Sequence, residues 1–291
     1  MFNLRYHIAS LTAVFVALAI GLVLGGLVAR QGGFDSSQRA LVTSLQKEYA
    51  SIKKRNGSLT SSLSLENAYG TQMTDAWVAG RLSGQTVVVV TSGAKDDGTD
   101  AAVSAIKSAG GAVVKVTLVK PELGLDDSLI ASAAVSVLGT SSTTPLVADV
   151  ANGLVAEWNG TASSHDLTNA LVSAGSLAID GLTPSTVATL AVDLAANDHN
   201  PDTAGLDVAS AYAAAGMFAM GAETIASNSG VAAAASARKL SAFDTLGTNA
   251  GRYTLVALFS GGQQGFYSKS ARGVSRFPGM PASAPEPTPA P

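Results

Sequence analysis

The chain opens with one long apolar segment, because residues 8–29 carry no charged side chain. At about 1.5 Å of rise per residue, a helix of this length crosses the roughly 30 Å hydrocarbon core of a bilayer. The segment therefore predicts a membrane anchor over residues 1–30, with the bulk of the chain on one side. A cleaved secretory signal is the alternative, but its apolar region is usually only about 7–15 residues long.

Positive charges flank both ends of this segment, with Arg5 before it and Arg30, Arg39 and Lys47 after it. The positive-inside rule therefore gives no decisive orientation. The very short N-terminal tail favours a tail inside the cell and an exported bulk. We expect a single-pass protein of the cell membrane whose globular part is extracytoplasmic.

Small residues recur every fourth position along one face of the segment. Gly21 and Gly25 form a GxxxG pattern, and Ala13, Ala17 and Ala29 extend it in register. Small side chains at this spacing let two helix backbones approach closely, which predicts a homodimer or higher oligomer. The alternative is that Gly and Ala are simply common in membrane helices.

A polar helix with an apolar seam follows over residues 34–79. The seam advances in alternating steps of three and four residues, which is heptad spacing and predicts a coiled-coil stalk. Its positions are Val42, Leu45, Tyr49, Ile52, Asn56, Leu59, Leu63, the weaker Glu66 and Gly70, Met73 and Trp77. A buried Asn56 would fix the register of a dimer at a cost in stability. The alternative is a helix folded back onto the globular domain.

Residues 84–270 alternate between strand and helix patterns. The run 86–91 is apolar and β-branched, as is typical of a central parallel strand. Predicted strands cover residues 86–91, 112–118, 134–138, 188–193 and 231–235. Predicted helices cover residues 97–109, 145–158, 166–174, 203–227 and 249–260. This alternation predicts an α/β fold with an open, mostly parallel, Rossmann-like or flavodoxin-like sheet.

The end of the chain and the composition exclude several classes of function. Residues 278–291 are rich in Pro and Ala, which predicts a disordered tail. The chain has no cysteine, so disulfides and thiolate metal sites are excluded. The net charge is −3 and the pI about 5.6, so no nucleic-acid partner is expected.

Motifs for catalysis are missing from the sequence. The loop 92–98 carries Lys95, Asp96 and Asp97 beside glycines, but it contains neither a GxGxxG nor a P-loop pattern. It is either a ligand loop or a polar approach to a helix. Ser164 and His165 are adjacent, which is not how a hydrolytic triad is assembled, and we interpret Ser164 as a helix cap. We expect no enzymatic activity.

Candidate metal ligands are few. Met217 and Met220 would share one face of a helix, and His199 lies upstream. Thioethers and imidazole suit copper ions. The alternative is that both methionines fill the core of an Ala-rich helix. No resident cofactor is expected, and copper would be a transported or sensed ion.

Several segments together are similar to one known family. They are the opening residues 1–26, the Gly80-Arg81-Leu82 run with Gly84 and residues 87–91, the strand-and-Asp segment 240–244, the closing-helix residues 249–252, and the Gly-x-Tyr residues 265–267. With this order of elements, the chain resembles the actinobacterial copper transporter family of the mycobacterial copper transport protein B type. The resemblance implies a membrane location and a role in copper homeostasis across the cell envelope.

The architecture also fits a second class of function. A dimeric anchor, a coiled-coil stalk and a ligand-poor head are the parts of a non-catalytic scaffold of the cell envelope or the division machinery. An envelope protein partner would then contact the stalk around Tyr49, Lys53 and Arg55. This similarity is architectural only, and fold-level likeness does not by itself imply function.

Overall fold

The N-terminal apolar segment forms one continuous helix, α1 (Leu4–Arg30). The computed structural model describes residues 4–30, 33–92, 98–139, 146–181, 190–194, 203–227, 229–270 and 276–279. Within these residues, the stretch Ile8–Leu27 has a mean hydropathy of 2.5, and no part of it is buried. An apolar helix without a protein cover matches a membrane span in length and composition.

The predicted stalk is also a single helix, α2 (Gly33–Val78), of 46 residues. Its seam side chains are solvent-exposed in the single chain: Ile52 is 50% exposed and Leu59 61% exposed. The helix prediction is therefore confirmed, whereas the coiled coil stays a prediction. The chain divides into two compact units, Met1–Asn67 and Ala68–Pro291, and the second is called the head below.

The first strand–helix–strand unit of the head agrees closely with its prediction. It consists of β1 (Thr86–Thr91), α3 (Thr99–Ser108) and β2 (Ala112–Leu118). The two strands pair in parallel, with Val88 opposite Val114. The Val-rich β1 is buried along its length because helices cover both faces of the sheet.

Among the described residues, seven strands form one sheet in the order β3-β2-β1-β4-β5-β6-β7. The remaining strands are β3 (Leu177–Asp180), β4 (Leu190–Leu194), β5 (Phe218–Thr224), β6 (Ser241–Leu246) and β7 (Phe266–Tyr267). All neighbouring pairs are parallel except β2 with β3. This mostly parallel mixed sheet confirms the predicted α/β class, and the strand order reverses between β1 and β4.

Helices cover both faces of the sheet and bury two cores. The helices after β2 are α4 (Ser128–Leu138), α5 (Leu146–Trp158), α6 (Asp166–Ser173), α7 (Thr203–Ala214), α8 (Val231–Ala237) and α9 (Asn249–Phe259), with a short 3-10 helix at Pro121–Gly124. One core lies beneath α4 to α8 and includes the fully buried Trp158. The other lies beneath α3 and α9, and Val78 at the end of α2 packs into it.

Two predicted strands and part of one predicted helix are wrong. Residues 134–138 lie within α4, and residues 231–235 form most of α8. The predicted helix 203–227 ends with α7, and β5 follows it. Segments 203–227 and 231–235 are rich in Ala, so their hydrophobic pattern does not separate a helical period from a strand period, and segment 134–138 is a short apolar run with two β-branched valines, which is equally ambiguous. Tertiary packing decided them.

Two other predicted strands agree with the structure. The predicted strand 188–193 overlaps β4, and the strand-and-Asp resemblance at 240–244 coincides with β6. Sequence patterns missed β3 and β7, which have only four and two residues. The disordered tail stays a prediction, because residues 280–291 lie outside the described residues.

Candidate functional site

The carboxyl edge of the sheet, where strand order reverses, is the expected ligand position in an open α/β fold. The segments that follow β1 and β4 begin at this edge. Residues 93–97 of the first and 195–202 of the second lie outside the described residues, as does the candidate ligand His199. The predicted ligand loop 92–98 therefore stays a prediction in its central part.

The end of the first loop closes against neighbouring strands. Gly98 has φ 91°, a backbone conformation that favours glycine. A Cβ atom at this position would lie 2.6 Å from the Thr224 methyl and 2.8 Å from a Leu246 methyl. Gly98 thus lies against the ends of β5 and β6, and a side chain at this position would collide with both strands.

Three carboxylates lie near the carboxyl ends of neighbouring strands: Asp193 on β4, Glu223 on β5 and Asp244 on β6. Such an arrangement would be a metal site if the oxygens converged on one point. Among the described residues, however, no group of three His, Cys, Asp or Glu side chains is placed to hold a metal ion. The surroundings of each carboxylate explain why.

Two of these carboxylates face the helices that follow their strands. Glu223 is buried and accepts hydrogen bonds from the backbone N–H groups of Gly230, at 3.4 Å, and Ala232, at 3.3 Å. Asp193 is also buried, and a methyl group on Gly205 in the first turn of α7 would collide with it. A negative charge beside the first turn of a helix is favourable, since that end carries partial positive charge.

The third carboxylate fastens the last strand. Asp244 Oδ2 accepts a hydrogen bond from the Ser268 hydroxyl at 2.6 Å, and Oδ1 accepts one from the Lys269 backbone N–H at 2.7 Å. Both donors follow β7 directly. Asp244 therefore holds the end of β7 against β6, so this acidic group serves the fold.

The candidate metal ligands Met217 and Met220 do not lie on one helix face. Met220 is on β5 and is fully buried in the core beneath α3 and α9. Met217 precedes β5 and packs against the core on the other face of the sheet. The structure therefore does not bring the two thioethers together, because a separation of three residues in extended backbone points side chains to opposite faces. A metal role for either residue stays a prediction.

A second buried carboxylate site lies at the start of α6. Glu157 accepts hydrogen bonds from the backbone N–H groups of Leu167, at 2.8 Å, and Thr168, at 2.9 Å. It also accepts one from the Thr168 hydroxyl, which in turn accepts one from the Trp158 indole. Ser164 was predicted to cap this helix, but the cap position is His165, and the capping oxygens come from Glu157.

A polar and aromatic cluster, here called the neck, joins the last turns of α2 to α9 within the head. Arg252 forms an ion pair with Asp75 at 2.5 Å. The Trp77 and Tyr253 rings lie 4.5 Å apart between centroids, and the Arg81 guanidinium stacks on Trp77 at 4.0 Å. Burial raises the pKa of Tyr253 above its ordinary value, and the nearby Arg81 partly opposes this rise.

Further hydrogen bonds extend the neck along α2. The Thr71 hydroxyl and the Asn249 side chain are bonded at 3.0 and 3.2 Å. The sequence signal for the neck was the predicted helix 249–260 with its Arg and Tyr, but nothing in the heptad pattern indicated that Asp75 and Trp77 face the head. The neck fixes the end of α2 on α9.

The family model described as "Copper transport outer membrane protein, MctB" matches residues 1–267 of the chain. The match includes α1, α2 and the whole sheet from β1 to β7. No curated protein and no solved structure matches the chain. The resemblance drawn from residues 1–26 and 80–91 is thereby confirmed over most of the chain.

Proposed function

The chain belongs to the MctB family of copper transport outer membrane proteins, and we propose that it limits cellular copper as a membrane-anchored protein of the envelope. The observation that carries the proposal is the length of the family match, which takes in the apolar helix and the head together. A copper transport-related function follows from the family. The direction of transport and the location of the head outside the cytoplasm are our proposals.

One apolar helix cannot by itself enclose a pathway for an ion. In the described part of the chain, α1 is the single helix with the length and hydropathy of a membrane span. A hydrated copper ion would need polar groups along its path, and within Ile8–Leu27 only Ser10 and Thr12 carry a polar side chain. We therefore propose that copper movement depends on an assembly of several chains or on a partner protein.

The same logic supports self-association through the first unit. A Cβ atom added at Gly21 or Gly25 would meet nothing within 4 Å in the single chain, so this face is open to a neighbour. The seam side chains of α2 from Val42 to Leu63 are likewise uncovered. Since every copy would be anchored through its own N-terminal helix, the copies would lie parallel, which suits a coiled coil with Asn56 facing its counterpart.

The experiment for the copper proposal measures total cell copper by mass spectrometry under copper load. A strain without the gene is compared with the parent and with strains complemented by the wild-type gene. We expect a several-fold rise in copper that complementation reverses, while zinc in the same digests stays unchanged. Unchanged copper in the deletion strain would contradict the proposal.

The second candidate function is a non-catalytic envelope scaffold. The observation that favours it is the neck, which fixes the last turns of α2 through Asp75, Arg252 and the Trp77–Tyr253 pair, while the seam side chains from Val42 to Leu63 stay exposed. A scaffold would use the exposed part of the seam to contact a partner. Loss of function in a monomeric Ile52→Asp, Leu59→Asp variant would support this candidate, and retained function would exclude it.

A further inference from the structure

A groove of about 320 Å³ lies at the amino-terminal edge of the sheet, beside the starts of β5 and β6. This edge is opposite to the one where ligands of open α/β sheets usually bind. Its apolar wall includes Met217, Phe218 and Leu240, and its polar lining includes Lys239, Ser241 and Gln264. The volume is within the range of small-molecule sites, and polar as well as apolar groups line the groove.

One polar group in the groove lacks a partner of its own. Ser241 is only 4% exposed, and its hydroxyl has no hydrogen-bond partner among the described residues. Buried hydroxyls are nearly always hydrogen-bonded, because an unpaired one loses its water without compensation. A ligand atom in the groove would supply the missing hydrogen bond.

The backbone at the rim of the groove is unusual. Lys239 follows α8 with φ 64°, in the left-handed region, where its N–H bonds to the Ser236 carbonyl and the Leu240 N–H bonds to the Ala235 carbonyl. Such a helix end normally uses glycine, because a side chain is strained there. Every other long helix of the head from α3 to α9 ends this way with a glycine. These are Gly110, Gly139, Gly160, Gly175, Gly216 and Gly261.

The Lys239 side chain thus stands where the backbone alone would favour glycine. Its ammonium group has no hydrogen bond or ion pair within the described residues. The neighbouring cation Arg238 is instead paired with Asp207 at 2.6 Å. The free cation is therefore the one that lines the groove, and the adjacent cation is neutralised away from it.

From this combination, we propose that the groove binds a small organic carboxylate with an apolar body. The ammonium of Lys239 would pair with the carboxylate, the Ser241 hydroxyl would donate to it, and Met217, Phe218 and Leu240 would contact the body. A charge-assisted hydrogen bond favours an anion over its neutral analogue. The site is separate from the copper role and does not depend on it.

Benzoate and its neutral analogue benzamide are suitable probes, titrated into the full chain in detergent and followed by saturation-transfer NMR. We expect benzoate to bind and benzamide to bind at least roughly tenfold more weakly. Lys239→Arg should keep benzoate binding, and Ser241→Ala should weaken it several-fold. The matched control Lys107→Gln, which removes a positive charge near the end of α3, should leave binding unchanged.

The decisive variant is Lys239→Gly, for which binding and stability move in opposite directions. We expect it to lose benzoate binding while the melting temperature rises by roughly 2–5 °C, because glycine relieves the strained backbone. A folding defect therefore cannot explain the loss. No benzoate binding by the wild type, equal binding of benzamide, or unchanged binding by Lys239→Gly would each overturn the proposal.

Discussion

The two units of the chain use similar apolar side chains in opposite ways. In the first unit, leucines of α2 are exposed, and Leu59 keeps 61% of its accessible surface. In the head, Leu154 on α5 keeps none. The head therefore buries its apolar side chains within itself, whereas the first unit leaves an apolar helix and an apolar seam exposed.

This difference indicates where partners are needed. Burial of apolar surface contributes roughly 25 cal/mol per Å² to the free energy of association. An uncovered seam of large apolar side chains therefore favours association. On our proposal, lipid covers α1 and a second copy covers the seam of α2. The head gains nothing comparable from association, because helices already cover both faces of its sheet.

The largest expected effect is on association through α2. Ile52→Asp with Leu59→Asp should weaken the homodimer at least roughly 1,000-fold, about 4 kcal/mol, because two charges per chain would enter the seam. Sedimentation of the full chain in detergent measures it. The matched control Ser51→Asp with Ser58→Asp adds the same two charges per chain at the same spacing outside the seam and should keep the dimer. A dimer that survives the seam substitutions would show that the seam does not pair.

A large effect on the stability of the head is expected from the core beneath α4 to α8. Leu154→Ala should lower the free energy of unfolding by about 3 kcal/mol, through lost burial and the cavity left behind. Urea unfolding monitored by tryptophan fluorescence measures it. The control Leu59→Ala removes the same atoms from an exposed site and should change the head by less than about 0.5 kcal/mol. Equal losses of unfolding free energy in Leu154→Ala and Leu59→Ala would contradict the difference in burial between the two units.

A smaller effect is expected at the Glu157 cap of α6. Glu157→Gln should destabilise the head by about 2 kcal/mol, since an amide NH₂ group would face N–H donors that now bond to a carboxylate. The same urea unfolding assay applies. Glu66→Gln on the exposed part of α2 is the matched control and should be neutral. A neutral Glu157→Gln would mean that the cap contributes little.

The smallest effect is expected within α2. Gly57→Ala should stabilise the helix by roughly 0.5–1 kcal/mol, because a Cβ atom there meets nothing within 4 Å. Thermal melts by circular dichroism measure it. Gly70→Ala should gain less, because its Cβ would lie 3.3 Å from the Asn249 amide in the neck. An equal gain at both positions would show that the neck does not restrict Gly70.

The elements that sequence patterns located well share one property: a long, unambiguous period. The apolar run of α1, the heptads of α2 and the Val-rich β1 each predict a single type of secondary structure. Segments rich in Ala and Gly are compatible with both a helix and a strand. For this reason β5 was wrongly predicted as helix and α8 was wrongly predicted as strand. In these segments, the neighbours decide whether an alanine lies on a strand or on a helix.

The site shows the same limit at the level of side chains. Acidic residues near the ends of strands can be found in the sequence, but the groups that donate hydrogen bonds to them cannot. Glu223 reaches the start of α8, and Asp244 reaches the residues after β7. Met217 and Met220 were paired by helical spacing, and the strand separated them onto opposite faces.

By itself, the sequence determined the N-terminal apolar helix, the polar helix with its seam, the α/β class and the resemblance to copper transport proteins. Local periodicity and composition carry these features, because each depends on residues close together in the chain. Only the tertiary structure decided the strand order, the neck, the capping carboxylates and the groove at Lys239. These features join residues far apart in sequence, and no local pattern records which distant group will satisfy a buried charge or hydroxyl.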